Sequence, residues 1–573
     1  MKILLAAVNA KYIHSNPAVH LLARYAADEV ADVKTEIAEY TINQPIQEIL
    51  ADLYGRDADV MAFSVYIWNA ETVRNLVSLL GKVRPGLPLW LGGPEASYHT
   101  KQWMEMSAVT GIMIGEGEKT FADLCRHYRT KSPKFEEIPG LCFRQEQEDG
   151  SKIIQYTGAR EPMNMDEVPF VYDRVDEYTN RIIYYESQRG CPFSCSYCLS
   201  SIDRTLRLRS LDKVLPELQH FLDCKVPQVK FVDRTFNCSR PHALAIWRYL
   251  AEHDNGVTNF HFEISADLLG DDELQVLSGM RPGLVQFEIG VQSTNPETIR
   301  EIRRSMDLER LERVTATIRS FRNIHQHLDL IAGLPYEDME SFRNSFNRVF
   351  AMKPDQLQLG FLKVLAGSYM AEKASDYEIA FTDCPPYEVL STRWLSFGDI
   401  CRLKQVEQMV ELYYNSGQFT HVLPVLLQAF DTPFDLFEKL AEDSVSRGFD
   451  RLTPARADRY RNLHAFALAN DPANGELYRE LLTFDLYLRE NAKSRPEFAA
   501  DLGGYREELY AREISRKDHL DVFFYPVWLA GEPGGLLNKA DSPTYVRFCY
   551  DRRDPLTHNA FWEFAERREG ERT

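Results

Sequence analysis

The stretch Gln188-Arg189-Gly190-Cys191-Pro192-Phe193-Ser194-Cys195-Ser196-Tyr197-Cys198 constrains this chain more than any other. Three of the ten cysteines fall in it, at positions i, i+4 and i+7. Thiolates hold iron–sulfur clusters, and most cubane clusters take four of them. Three on one short loop leave one corner iron without a protein ligand, open to chelation by a small molecule. Gly190 and Pro192 shape a tight loop, and Phe193 and Tyr197 shield it from water. A structural zinc site is the rival reading, but it wants four closed ligands. Cys195 and Cys198 make half of one, and no second C-x-x-C pair or nearby histidine completes it. The expected metal ligands are therefore Cys191, Cys195 and Cys198, around a [4Fe–4S] cluster.

This C-x-x-x-C-x-x-C pattern, with an aromatic residue before its last cysteine, resembles the signature of the radical S-adenosylmethionine (radical SAM) enzymes. Six strand-like runs accompany it: Ile182 to Glu186, Val229 to Asp233, His261 to Ala266, Val285 to Val291, Leu328 to Ala332 and Gln356 to Val364. Helical segments lie between them, among them Leu211 to Leu222, Pro241 to Glu252, Pro296 to Phe321 and Met339 to Met352. Repeated βα units predict a parallel barrel with its chemistry at the carboxyl ends of the strands, and the cysteine loop directly follows the first strand. The resemblance implies a partial (β/α)6 barrel open on one side, over residues 181–370. The later strand ends carry polar and glycine residues that look like the blocks around SAM in cobalamin-type members. By that resemblance Glu263, Glu288, Gln292 and Ser293 face SAM, Gly333 permits close approach, and Ile331, Leu334 and Leu365 flank adenine. Where the family often shows a second acid after Asp233, this chain has Arg234, which leaves the role of Asp233 open. Arg207 and Arg209 have two readings: forks for a carboxylate or other anion, or a solvated helix start.

Over residues 1–135, strands and helices alternate: Lys2 to Val8, Lys34 to Tyr40, Asp59 to Tyr66, Pro88 to Leu91 and Gly111 to Ile114 read as strands. Pro17 to Val30, Pro45 to Leu53, Ala70 to Val83 and Lys119 to Tyr128 read as helices, with Asn16 capping the first. This pattern predicts a doubly wound parallel sheet, whose ligands bind at the strand carboxyl ends. The loops there contain Ser64 and Trp68, then Gly92-Gly93-Pro94-Glu95, then Gly115-Glu116-Gly117-Glu118. None is the G-x-G-x-x-G dinucleotide fingerprint. Together they resemble the cobalamin-binding domain that precedes many radical SAM domains. That resemblance assigns Ser64, Trp68, Gly92, Gly93, Pro94, Glu95, Gly115, Glu116 and Gly117 to cobalamin. The D-x-H-x-x-G motif that supplies a histidine to cobalt is absent, and His14 lies outside any such pattern. A lower cobalt face without a protein histidine is the expectation.

Residues 136–180 read as a hairpin and linker, the hairpin turning at Asp149-Gly150. Residues 375–573 are mainly helical, with strands at Leu520 to Tyr525 and Thr544 to Tyr550 and no motif of known chemistry. The layout resembles bacterial cobalamin-binding radical SAM proteins whose C-terminal domain has no assigned role. It either closes the barrel or holds substrate. In 573 residues no apolar run approaches the about 20 that a membrane helix needs. A net charge of −19 gives no general attraction to nucleic acid or anionic lipid. The other cysteines are scattered, which fits a reducing cytoplasm.

The resemblance implies an enzyme that cleaves SAM to methionine and a 5′-deoxyadenosyl radical, using the cluster's electron. Cobalamin then serves C-methylation at an unactivated carbon of a small-molecule or peptide substrate. A one-electron donor such as flavodoxin or ferredoxin supplies the reducing power. Two rivals share the motifs. One is oxidative cyclisation or rearrangement without methyl transfer, as in relatives resembling the anaerobic magnesium-protoporphyrin ester cyclase. The other is a cobalamin or cluster sensor without turnover, which would need no SAM site.

Overall fold

From Ile3 to Val8 every residue of the first strand, β1 (Lys2–Asn9), is buried. A strand that is apolar on both faces needs cover on both. Leu4, Ala6 and Val8 pack into a core shared with the helices Ile46–Gly55 and Ala70–Val83. Ile3, Leu5 and Ala7 point the other way, onto the helices Pro17–Glu29 and Glu118–Thr130. The expected doubly wound sheet follows. Strands β2 (Lys34–Thr41), β3 (Val60–Ser64), β4 (Leu89–Gly92) and β5 (Val109–Met113) join β1 in the parallel order β2-β1-β3-β4-β5. As expected, Asn16 caps the first helix, its side-chain oxygen accepting from Val19 N at 3.4 Å.

The computed structural model describes residues 1–147, 151–449, 454–492, 494–511 and 517–565. They form two units. One comprises Met1–Leu284, Arg300–Ser305 and Leu362–Thr392, the other Val285–Ile299, Met306–Phe361 and Arg393–Thr573.

In the first unit the hairpin strands β6 (Leu141–Glu146) and β7 (Lys152–Tyr156) extend the sheet antiparallel at the β5 edge. The Asp149-Gly150 turn between them lies outside the described residues. Next come β8 (Ile183–Tyr185), β9 (Gln228–Phe231) and β10 (Asn259–Ile264), paired in parallel. The second unit holds β11 (Val285–Gln292), β12 (His325–Ala332) and β13 (Gln356–Phe361), also parallel. The six strands expected of a partial (β/α)6 barrel are thus present, three in each unit. The C-terminal part is mainly helical, closing with an antiparallel sheet of Asp518–Phe523, Thr544–Arg553 and Ala560–Phe564. Among the described residues no helix is long and apolar enough to cross a membrane.

The linker before β8 is pinned rather than loose. Arg209 is 4% exposed, and its Nη1 donates to Met165 O (2.6 Å) and Val168 O (2.7 Å) while Nε meets Glu217 at 3.0 Å. Arg207 Nη1 donates to Met163 O at 2.8 Å. The arginine cluster is therefore not a solvated helix start: it clamps the linker with forks suited to carboxylate and carbonyl oxygens.

Arg209→Ala strips two buried carbonyls and the Glu217 carboxylate of their cation. Breaking a buried pair this way costs about 3–5 kcal/mol. The unfolding transition of the first unit is expected to shift to lower denaturant, with Arg209→Lys recovering only part of the loss.

Candidate functional site

The cysteine loop is shaped by backbone. Gly190 has φ +83°, and a Cβ there would stand 2.2 Å from Thr205 O, so only glycine fits. Cys191 N donates to Asp203 O at 3.1 Å. Ser196 N donates to Ile302 O (2.9 Å), and Ser196 O accepts from Met370 N (2.8 Å). None of these bonds uses a thiol. Cys191 is buried, and Cys195 and Cys198 are half-buried. Burial pushes the Cys191 thiol up, against hydrogen bonds from the Phe193 N–H and the Thr235 hydroxyl. Among the described residues no group of three or more His, Cys, Asp or Glu side chains converges to hold a single metal ion. Thiolates that bind three different irons of a cubane need not converge on one point. Three thiols on one loop fit such a cluster, and binding it would deprotonate them.

Arg304, which the sequence reading passed over, touches this loop. Its Nη1 lies 3.9 Å from Cys195 Sγ and 3.4 Å from the Tyr197 hydroxyl. The continuous helix expected over Pro296 to Phe321 is in fact two, Pro296–Glu301 and Leu308–Phe321, separated at Arg303 with φ +55°. The signal was Asp307, whose side chain caps the second helix at Arg310 N.

Asp233 now has a role. Its Oδ1 accepts from Ser187 N (2.8 Å) and Gln188 N (3.1 Å), and its Oδ2 from Ser187 Oγ (2.5 Å). His242 Nε2 lies 3.1 Å from the same Ser187 hydroxyl. Asp233 therefore anchors the turn that leads from β8 into the cysteine loop. Burial, reinforced by Glu186, pushes its carboxyl up to about 8 against the hydrogen bonds from Ser187 and Gln188. Burial pushes His242 down to about 4. Arg234 is exposed.

A cavity of about 620 Å³ opens between the strand ends of the first sheet and β8. Of the residues expected to meet cobalamin, Ser64, Gly92, Gly93, Pro94, Gly115, Glu116 and Gly117 line it. Gly93 has φ +99° and a Cβ there would strike Val65 O at 2.6 Å, whereas at Gly115 a Cβ would enter open space. Trp68 and Glu95 lie outside the lining. Trp68 is exposed and stacks on Tyr66, ring centroids 4.3 Å apart. Glu95 is buried and accepts from the Tyr387 hydroxyl at 2.5 Å. Among the described residues no histidine lines the cavity. His14 instead pairs its Nδ1 with the Tyr184 hydroxyl at 2.6 Å. An aromatic wall of Tyr66, Tyr98, Phe170, Tyr172 and Tyr184 went unread in the sequence, because its members sit on separate segments. On the cysteine side the wall includes Glu116, Glu118, Glu186 and Arg189. Burial raises Glu186. Glu116 stays below its ordinary value, because Arg207 and the Met163 N–H outweigh burial.

The residues expected around SAM divide between the units. Glu263 stands half-buried on β10 in the first. In the second, Glu288 and Gln292 are half-buried on β11, alternating with buried apolar residues. The strand reaches Gln292, but with a register shift after Gly290 and φ +72° at Gln292, so strand alternation from Glu288 does not carry over to that side chain. Among the described residues Gln292 Oε1 is buried without a hydrogen-bond partner. The Ser293 hydroxyl is fully buried and donates to Glu337 Oε1 at 2.6 Å, beside Ser345 Oγ at 3.0 Å. Burial raises Glu337 to about 7. Gly333 has φ +93°, Leu334 is fully buried, and Ile331 and Leu365 are half-buried.

Known proteins share this architecture. Residues 3–125 match the B12 binding domain, residues 185–349 the radical SAM superfamily, and residues 375–525 a protein family of unknown function (DUF4080). The 2-(S-pantetheinyl)-carbapenam-3-carboxylate methyltransferase of Streptantibioticus cattleyicolor is 25% identical over 332 residues, 54% of this chain and 47% of that protein. The cobalamin-dependent radical SAM methyltransferase TokK of Streptomyces tokunonensis is 24% identical over 319 residues, 52% of this chain and 46% of its own. The chain thus spans about half the length of these curated relatives. Among solved structures, TsrM from Kitasatospora setae superposes with a TM-score of 0.56 at 18% identity, covering 67% of this chain and 80% of that one. The cobalamin-dependent SAM radical enzyme OxsB gives 0.55 at 16%, covering 84% and 78%. At such identities these likenesses show the fold.

Asp233 and His242 make the first unit's stability depend on pH with opposite signs. The Asp233 contribution is full below pH 3.8 and is lost as pH rises through about 8, because the folded state holds a proton that the unfolded chain releases. The His242 contribution is present above pH 6.5 and lost as pH falls through about 4. From pH 6.5 to about 8 only the Asp233 contribution of this pair changes, and it falls. Denaturant midpoints across that window are expected to decline in the parent and to flatten in Asp233→Asn.

Proposed function

We propose that this cobalamin-binding radical SAM protein is an enzyme that cleaves SAM reductively and methylates an unactivated carbon. The observation that carries the reading is one juxtaposition. A loop with three cysteines, none of them in a disulfide, leaves β8 beside a cavity whose opposite wall is the strand-end loops of the B12-binding sheet. Three of the four relatives named above, the two curated ones and TsrM, are methyltransferases, which favours methyl transfer over cyclisation, and a sensor has no use for the polar strand ends of the barrel. The division into residues 1–135, 136–180, 181–370 and 375–573 is part of the same proposal.

In this reading Cys191, Cys195 and Cys198 hold the [4Fe–4S] cluster. Gly190 and the Asp233 anchor hold their loop in shape before the cofactor arrives. Ser64, Gly92, Gly93, Pro94, Gly115, Glu116 and Gly117 offer cobalamin a backbone-rich wall, and the facing aromatic rings exclude water. Glu263, Glu288, Gln292 and Ser293 are assigned to SAM, with Gly333 and Leu334 shaping its adenine end. Ser293 acts there through its bond to Glu337. When bound, these groups supply the radical and methyl-transfer chemistry, while the protein positions and shields them. The substrate is a small molecule or peptide. The reducing electron comes from a donor such as flavodoxin or ferredoxin, in the cytoplasm.

Anaerobic incubation with SAM, reductant and cobalamin tests the reading. Both 5′-deoxyadenosine and S-adenosylhomocysteine are expected from the parent. The triple variant of Cys191, Cys195 and Cys198 to Ala is expected to lose about four irons and both products. Iron retained by the triple variant removes the cluster assignment, and 5′-deoxyadenosine without S-adenosylhomocysteine favours the cyclisation rival.

For cobalamin, His14→Ala is expected to leave the bound cofactor's visible and EPR spectra unchanged, because His14 lies outside the cavity lining. Imidazole nitrogen coupling in the parent Co(II) spectrum that disappears in His14→Ala would overturn this.

A further inference from the structure

Two adjacent arginines follow the short helix Pro296–Glu301, and they point to different partners. Arg303 lies over the Tyr369 ring, 3.5 Å from its centroid. Arg304 turns to the cysteine loop, with Nη1 3.9 Å from Cys195 Sγ and 3.4 Å from the Tyr197 hydroxyl. The segment is held in place there: Ile302 O accepts from Ser196 N at 2.9 Å, and Glu301 accepts from the Tyr377 hydroxyl. A phenol is ordinarily neutral at physiological pH, so the charge brought to this sulfur is the guanidinium's.

We infer that Arg304 raises the reduction potential of the cluster that Cys195 helps hold, by placing a permanent positive charge against one of its ligand sulfurs. The inference rests on the cluster assignment above. One-electron reduction adds one negative charge to a thiolate-bound cluster. A cation at 3.9 Å from a ligand sulfur stabilises that added charge, and a surrounding medium of low dielectric strengthens the effect. Potentials of such clusters respond to net charge, to hydrogen bonds at sulfur and to solvent exposure, and Arg304 bears on the first two. An arginine stays charged throughout the working pH range, so the effect is built in rather than switched. Its consequence is an easier first electron from a donor of the flavodoxin or ferredoxin class.

The test is an anaerobic EPR-monitored redox titration, with dithionite and mediators and without SAM. Reconstituted parent, Arg304→Lys, Arg304→Met and Tyr197→Phe are compared. Iron and sulfide content is read first, since a parent without a cluster defeats the cluster assignment itself. With clusters present, Arg304→Met is expected to lower the midpoint by about 59 mV or more, tenfold or more in the ratio of reduced to oxidised cluster at a fixed potential for a one-electron couple. Arg304→Lys should fall less, and Tyr197→Phe should stay near the parent. A full cluster in Arg304→Met with the parent midpoint overturns the inference. A Lys variant that falls as far as the Met variant overturns charge as its cause. Loss of the cluster in Arg304→Met overturns it too, because Arg304 would then hold the loop rather than tune its cargo.

Discussion

The ion pairs of Arg189 are the constraint on which the first unit depends. This residue stands just before Gly190, its side chain 14% exposed. Its Nη2 meets Glu118 at 2.5 Å, its Nε meets Glu186 at 2.9 Å, and its Nη1 lies 3.6 Å from Glu116. Glu116 belongs to the strand-end loop after β5, Glu118 opens the helix that follows it, and Glu186 comes directly after β8. A buried network of this kind contributes little net stability, but a wrong arrangement leaves charges buried and unpaired. Its forks also demand a definite geometry. The network therefore acts mainly on register, fixing where the cysteine loop stands relative to the glycine loops across the cavity.

The neighbouring contacts extend this division of labour. Arg207 joins Glu116 and Asp203, the Met163 N–H also reaches Glu116, and Arg209 pins the linker. Asp233 takes the backbone N–H groups of Ser187 and Gln188. Scaffold duty thus falls to arginines, carboxylates and backbone. None of these contacts uses a thiol of the cysteine loop, as a site assembled before a cofactor arrives requires.

Much of this was legible in sequence, for physical reasons. Continuous apolar runs such as Ile3 to Val8 permit little but a strand buried on both faces. The glycines of the loops proved necessary where the backbone demands positive φ, as at Gly93 and Gly190. What escaped was short or non-local. The helices Pro94–Tyr98 and Thr100–Met104 are too short to show a period. The hairpin read as part of a connector adds to the first sheet, because edge pairing depends on which backbone lies nearby and not on composition. Glu95 and Trp68 sit in motif loops yet lie outside the cavity lining, since one loop presents neighbouring side chains in different directions. Arg207 and Arg209 were ambiguous because their partners lie on remote segments, Glu116 for the first and the Met165 and Val168 carbonyls for the second.

The second unit shows how a barrel that stops short of closure protects its last strand. The free edge of β13 would present unpaired N–H and C=O groups, an invitation to wrong pairing. Asn415 answers both groups of Leu357: its Oδ1 accepts from Leu357 N at 2.9 Å and its Nδ2 donates to Leu357 O at 2.8 Å. A primary amide presents the same donor and acceptor as a backbone peptide, so one side chain imitates one residue of a missing strand. The Tyr414 hydroxyl takes Pro354 O just before the strand begins. Further along, Arg343 on the helix Met339–Ala351 pairs with Asp435 and Glu438 on the helix Pro433–Ser446, and Phe346 packs its ring against Phe434 and Phe437. At Leu357 the helical segment ending at Asn415 therefore does for this edge what a further strand does in a closed barrel. A chain with a partial barrel needs such cover whatever else its C-terminal part does.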